Sequence, residues 1–228
     1  MIPNILKSGI RLIRPLYYYH VGHRADRETE IFLGYLRKSD CVLEIGAFCG
    51  NASRIYSQSC NFVHAVEANP ECFRYLRKLK EKNLKTYNFA AFDAKSDLGL
   101  HISSSYRMSG EDSLAAIDGA KPKRSVIVEA RRIDQVSWNP FPDVAFFDIE
   151  GSEIQALKGA SGILGKLRVI GLESHFVEGK GTMENVIDLL SHYSFEQVYI
   201  SQVSSPLHSI ESIAVFENRS IFEEMKEK

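Results

Sequence analysis

The stretch Val42–Tyr56, "VLEIGAFCGNASRIY", passes from apolar to glycine-punctuated inside what reads as one buried segment. Cys41 to Ile45 has the length and character of a short central strand, and the run from Asn51 reads as a helix start. Gly46 and Gly50 therefore fall in the turn between them. Such a turn suits a ligand: glycine lets the backbone come close, and the first free N–H groups of the helix form a partly positive anchor.

Composition narrows the ligand. At 228 residues the chain is long enough for one domain, burying about 70 to 75% of its unfolded surface. Lysine plus arginine (28) nearly balances aspartate plus glutamate (29), so the net charge of −1 does not call for a nucleic-acid backbone, and a small or neutral partner fits better. Cysteines at 41, 49, 60 and 72 form no C-x-x-C pair and no metal-ligand spacing. With no signal-peptide pattern, a reducing, cytoplasmic setting is expected. No apolar run reaches the roughly 18 to 20 residues of a spanning helix.

Strand and helix patterns alternate along the chain. Helices are expected over about Arg24 to Lys38, from Asn51, from the Asn69–Pro70 cap to about Lys82, from Ser152 and from Thr182. Strands are expected at Cys41–Ile45, Phe62–Ala68, Lys85–Ala91, Leu98–Ser103, Ser125–Arg131, Val144–Ile149, Arg168–Glu173, Phe195–Ser201 and Ser212–Phe216. This predicts an α/β fold, a mostly parallel sheet with helices on both faces and an antiparallel hairpin at its edge. A helical segment at 1–40, amphipathic over Ile2 to Leu16, is expected to cover the domain or its cleft rather than a membrane. The main domain is expected at 41–228, with a β-hairpin insert at about 97–134 whose loop overhangs the cleft.

Open sheets of this kind bind ligands beyond the carboxyl ends of their strands, where the strand order reverses. Five such ends carry polar or acidic residues: Gly46 to Asn51, Glu67 to Asn69, Ala91 to Asp93, Asp148 to Ser152 and Glu173 to His175. Glu67 lies about twenty residues past the glycine turn, where a nucleotide-binding sheet places a carboxylate for ribose hydroxyls. A nicotinamide dinucleotide wants G-x-G-x-x-G, and Gly46-Ala47-Phe48-Cys49-Gly50 has no third glycine in register. Glu44, two residues before the first glycine, suits a ligand with a positive end.

These residues resemble the S-adenosylmethionine-dependent methyltransferases, and within them the FkbM family. "VLEIGAFCGNAS" is similar to that family's Asp-x-Gly-Ala-Asn-x-Gly motif, and "AVEANP" to its Val-Glu-Pro-Asn-Pro. "DVAFFDIEGSEIQALKGA" (Asp143 to Ala160) is similar to its Asp-x-x-Lys-x-Asp-x-Glu-Gly-x-Glu segment, while "VEARRID" and "VIGLESH" resemble the strands on either side. Three positions depart from the pattern: Glu44 replaces aspartate, Phe48 asparagine and Phe146 lysine.

The resemblance implies a class I methyltransferase fold, Rossmann-like, with S-adenosyl-L-methionine as cofactor. It places Gly46, Ala47, Gly50 and Asn51 beside the methionine moiety, with Glu44 holding it through its amino group or through a bridging water. Glu67 would hold the ribose, Ala68 and Asn69 would pass beside the adenosine, and Ala91 and Phe92 would flank the adenine. Asp148, as base or as ligand to the amino group, and His175 are the candidates at the reacting end. The acceptor it implies is a hydroxyl on a sugar, glycan or secondary metabolite. No metal is assigned, since acids after strands need none. A nicotinamide-dependent oxidoreductase and a non-catalytic binding protein that keeps the fold stay open as alternatives.

Overall fold

The computed structural model describes residues 26–102, 114, 124–175, 182–204 and 210–226. The expected helix at Ile2 to Leu16 and most of the insert's loop lie outside the described residues. The elements in order are α1 (Arg27–Leu33), β1 (Cys41–Ile45), α2 (Asn51–Ser59), β2 (Phe62–Glu67), α3 (Pro70–Leu76), β3 (Leu84–Asn88), β4 (Ala90–Ala91), β5 (Ser96–Ile102) and β6 (Arg124–Arg131). After a short 3₁₀ turn come β7 (Val144–Asp148), α4 (Glu153–Gly159), α5 (Ser161–Leu164), β8 (Val169–His175), α6 (Met183–Ser191), β9 (Phe195–Ser204), β10 (Ile210–Asn218) and α7 (Arg219–Lys226).

Seven strands form one sheet in the order β3-β2-β1-β7-β8-β10-β9, parallel from β3 to β8 and antiparallel over β8, β10 and β9. The order reverses between β1 and β7. Both are buried on two faces, which is why they read as near-continuous apolar runs. One core cluster gathers Leu43, Ile45, Phe147, Leu157 and Leu172; a second gathers Phe32, Val42, Tyr56, Val63 and Phe146.

Local chemistry accounts for most element ends. Asn69 caps α3 by accepting from the Glu71 N–H at 2.8 Å, with Pro70 in the first turn. Asp26 caps α1 by accepting from the Thr29 N–H at 2.9 Å. Thr182 and Asn185 form a reciprocal capping box on α6.

Two expected helices are shorter than their patterns. α1 stops at Leu33, with Gly34 as its C-cap, instead of running to Lys38. α3 stops at Leu76, with Arg77 as its C-cap, instead of running to about Lys82. The strand expected over Lys85–Ala91 breaks at the buried Phe89. β3 stays in the main sheet, while Ala90–Ala91 leaves it to pair with β6 in a three-stranded sheet ordered β4-β6-β5. That small sheet, in which β5 and β6 run antiparallel, packs Leu100 and Ala90 against the mouth of the main one. The C-terminal helix α7 begins after Asn218, whose Oδ1 accepts from the Ile221 N–H at 3.4 Å, and was not expected from the sequence.

Candidate functional site

At the carboxyl ends of β1, β2 and β7, on the reversal point of the sheet, lies a cavity. The turn after β1 builds its floor. Gly46 and Gly50 take left-handed backbones at φ 96° and 89°, and Phe48 between them has φ 48°. The Gly46 and Ala47 N–H groups both donate to the Val66 carbonyl at 2.9 Å, which clamps the turn onto β2. The turn after β7 mirrors it, with Glu150 at φ 56° and Gly151 at φ 97°. A left-handed aromatic or glutamate is costly, and two such residues flank this one cavity.

The glycines have structural reasons of their own. A Cβ on Gly46 would lie 1.7 Å from the Asp148 carbonyl oxygen, so Gly46 lets β1 and β7 end side by side. A Cβ on Gly50 would meet Leu79 at 2.5 Å and Leu76 at 2.7 Å, which fixes α2 against the end of α3. Gly46 also lines the cavity, whereas Gly50 does not.

The acids are the dominant chemistry. Asp26, Glu28, Glu44, Glu67, Asp148, Glu150 and Glu173 line the cavity, and no Lys, Arg or His is among its described lining residues. Glu67 is 8% exposed; its Oε2 accepts from the Phe48 N–H at 2.7 Å and its Oε1 from the Asn69 N–H at 2.6 Å. These bonds hold the carboxylate in one pose between the two turns.

Glu44 lies beneath the floor, 3% exposed, and accepts from the Ser53 hydroxyl of α2. Burial pushes its carboxyl up to about 7, partly opposed by that hydrogen bond. Asp148 ends β7 opposite Glu173 of β8. Its Oδ1 is closed off from solvent and has no hydrogen-bond partner among the described residues. Burial first, then the charges of Glu173, Glu150 and Glu153, hold Asp148 well above the usual carboxylate range. Glu153 is otherwise engaged, accepting from the Gly151 N–H at 2.8 Å.

Of the residues singled out from the sequence, the structure brings Glu44, Gly46, Ala47, Asn51, Glu67, Ala68, Ala91 and Asp148 to this cavity. Asn69 instead caps α3 and supports Glu67 from behind. Phe92 packs on the small-sheet cluster, its N–H bonded to the Arg131 carbonyl at 3.0 Å. His175 ends β8 opposite Glu211; its side chain lies outside the described residues. Among the described residues no group of three or more His, Cys, Asp and Glu is arranged to hold a metal ion, and no helix is long and apolar enough to cross a membrane.

Sequence reasoning missed the contribution of α1. Asp26, Glu28 and Thr29 form one wall, and Phe89, Leu100 and Leu114 form an apolar one. Asp26 has a capping residue's chemistry, although the helix was expected from about Arg24, and nothing local says that this helix end faces the cavity. Phe146 packs 5.0 Å from Phe32 of α1, ring to ring, and so seats that helix over β7.

The cavity's donor set fits S-adenosylmethionine. It offers a fixed carboxylate in Glu67 at the end of β2, a buried acceptor in Asp148 with no donor among the described residues, and apolar surface at Phe89 and Ala91.

Solved structures share the fold. A putative tRNA (m1A22) methyltransferase of Streptococcus pneumoniae superposes with TM-score 0.54 at 11% identity, over 86% of this chain and 71% of that one. The same protein in complex with S-adenosyl-L-methionine gives 0.52 at 12% identity, over 86% and 73%. A protein of the NADB-Rossmann superfamily from Streptococcus agalactiae gives 0.53 at 11% identity, over 86% and 69%. Comparison with curated protein sequences gives no match. The methyltransferase FkbM domain matches residues 40–197, from the residue before β1 into β9 and across every strand that lines the cavity. With that match spanning well over half of the sequence, the chain belongs to the FkbM methyltransferase family.

Proposed function

We propose that this protein transfers a methyl group from S-adenosylmethionine to a hydroxyl oxygen of a sugar, glycan or other small hydroxylated metabolite. The observation that carries the reading is the cavity at the sheet's reversal point: seven carboxylates, no described cation, and Glu67 fixed at the end of β2. A dinucleotide would bring two phosphates into that field. The same field opposes an RNA acceptor, whose backbone calls for Lys and Arg contacts.

Bound S-adenosylmethionine supplies an electrophilic methyl group on a good leaving group, so the protein's task is alignment and acceptance of a proton. Glu67 orients a ribose by accepting from its hydroxyls. Glu44 and the left-handed turn after β1 form the floor on which an amino-acid moiety rests. Glu67 and Asp148 stand two strands apart, about 10 Å by strand spacing, so they serve different parts of a guest. Asp148 is the base for the acceptor hydroxyl. Its raised proton affinity makes it a stronger acceptor than an ordinary carboxylate, and a positive guest favours its ionised form.

The test has two parts. Calorimetric titration should show S-adenosylmethionine binding and no binding of NAD. Incubation with hydroxylated compounds and glycans should give a product heavier by one methyl group, and Asp148→Asn should slow its formation about a hundredfold. Binding of NAD in preference, or a wild-type rate in Asp148→Asn, would overturn the cofactor or the base assignment respectively.

A further inference from the structure

We infer that Glu44 exchanges its proton for the positive end of the cofactor: the ligand-free floor holds a carboxylic acid, and a bound ammonium leaves a carboxylate in its place. This rests on the cofactor reading above and goes beyond it, making binding itself a proton-releasing step.

Position carries it first. Glu44 is 3% exposed yet lines the cavity, so it is closed to bulk water and open to a guest. Its donors among the described residues come from Ser53 of α2, through the hydroxyl and the backbone N–H. The turn that follows it has its N–H groups engaged elsewhere: Gly46 and Ala47 donate to the Val66 carbonyl, Phe48 to Glu67 and Gly50 to the Ala47 carbonyl. These backbone donors do not answer Glu44.

Charge points the same way. The titratable groups around Glu44 are Asp26 of α1, Tyr56 of α2 and Cys60 at the α2 C-cap. Glu28 of α1 lines the same cavity. Glu67 of β2 and Asp148 of β7 lie two residues beyond the register partners of Glu44, on the same face of the sheet. None of these is a cation, and no Lys, Arg or His is among the described lining residues. An ionised carboxylate buried without a cation is costly, so the ligand-free site favours the neutral acid. Burial accordingly pushes Glu44 up to about 7, against the Ser53 hydrogen bonds.

The exchange balances. The O–H bond of the Glu44 carboxyl breaks, its electron pair stays on oxygen, the proton passes to solvent, and the ammonium of the guest becomes the counter-ion. One positive charge enters the floor as one leaves.

Calorimetric titration of the full chain with S-adenosylmethionine, in phosphate and in imidazole, counts the protons released, because the two buffers differ in ionisation enthalpy. With the bound carboxylate held ionised, Glu44 should account for about 0.9 proton per cofactor at pH 6 and about 0.5 at pH 7, and should make binding about fivefold tighter at the higher pH. Both conditions lie below the range in which an α-amino group titrates, about 7.7 to 8.0. Glu44→Gln should remove this share and flatten its part of the affinity profile, whereas Asp148→Asn should leave most of it. Ser53→Ala takes away the hydroxyl that favours the carboxylate, so it should move the release to higher pH, and it carries the test if Glu44→Gln no longer binds. Equal release in wild type and Glu44→Gln, release lost in Asp148→Asn alone, or a Ser53→Ala profile that superposes on the wild type overturns the inference while leaving the cofactor reading standing. Failure of the wild type to bind S-adenosylmethionine removes the cofactor reading, and the inference with it.

Discussion

Both edges of the central sheet bury acids, and Asp148 at the carboxyl edge differs from the acids at the amino-terminal edge. At the amino-terminal edge Asp40, 4% exposed, accepts from Arg168 Nη2 at 2.5 Å and from the Arg37 N–H at 2.7 Å. Asp143 accepts from the Cys41 N–H at 2.7 Å, and His64 donates from Nε2 to the Pro140 carbonyl at 2.8 Å while Tyr87 donates to its Nδ1. At the carboxyl edge seven acids share a cavity with no described cation, and Asp148 keeps an orphaned acceptor. A charge answered within the chain stabilises the native state. An acceptor left unanswered among the described residues, as at Asp148 Oδ1, stores binding energy for a guest at a cost in stability.

The largest expected effect lies at the paired edge. Asp40→Ala leaves Arg168 buried without its counter-ion and should cost about 3 to 5 kcal/mol in a denaturant titration. A loss under 1 kcal/mol would show that this edge is not what holds the sheet's base together.

At the other edge the sign reverses with pH. The Glu44 carboxyl is held at about 7 in the fold against an ordinary 4.5, so the folded chain binds a proton that the unfolded chain releases between those values. Its contribution is fully present below about pH 4.5 and is lost as pH rises through about 7. Ligand-free Glu44→Gln should match the wild type near pH 4.5 and exceed it by about 3 kcal/mol at pH 8. Unfolding curves that stay parallel across this range would break the contrast between the edges.

Next in size is Glu67, which serves both fold and ligand. Glu67→Ala removes two charge-assisted acceptors and should weaken S-adenosylmethionine binding about a hundredfold, near 2.7 kcal/mol, in a variant that still folds. Unchanged affinity by calorimetry would take away the ribose assignment.

The smallest effect sharpens the comparison most. Asp148→Asn removes one member of a crowded acid group, so the ligand-free variant should gain about 1 kcal/mol of stability, the opposite of what Asp40→Ala does. Thermal unfolding of the two variants side by side decides it; a destabilised Asp148→Asn would place Asp148 among the structural acids.

The alternation of period-two and helical patterns, the Asn69–Pro70 cap and the buried runs at β1 and β7 were all readable locally, because strand and helix each impose their own spacing on apolar residues. Glu67 was readable too, since strand length and the strand-end rule place it without knowledge of its neighbours. Helix ends were read too long, as past Leu76, because the apolar pattern continues to Leu79 beyond the last helical residue.

What the sequence by itself determined is therefore the layered α/β sheet, the edge that holds the site, and most of the acids along that edge. Tertiary structure alone decided what those acids mean. Gly46 is glycine because the Asp148 carbonyl, about a hundred residues away, would overlap its side chain. Asp26 and Glu28 join the cavity because Phe32 and Phe146 seat α1 over β7. Asp148 is unusual because β8 sets Glu173 beside it and no described residue donates to its Oδ1. Pairing, burial and electrostatic crowding are properties of neighbours in space, and in a parallel sheet those neighbours come from distant parts of the chain.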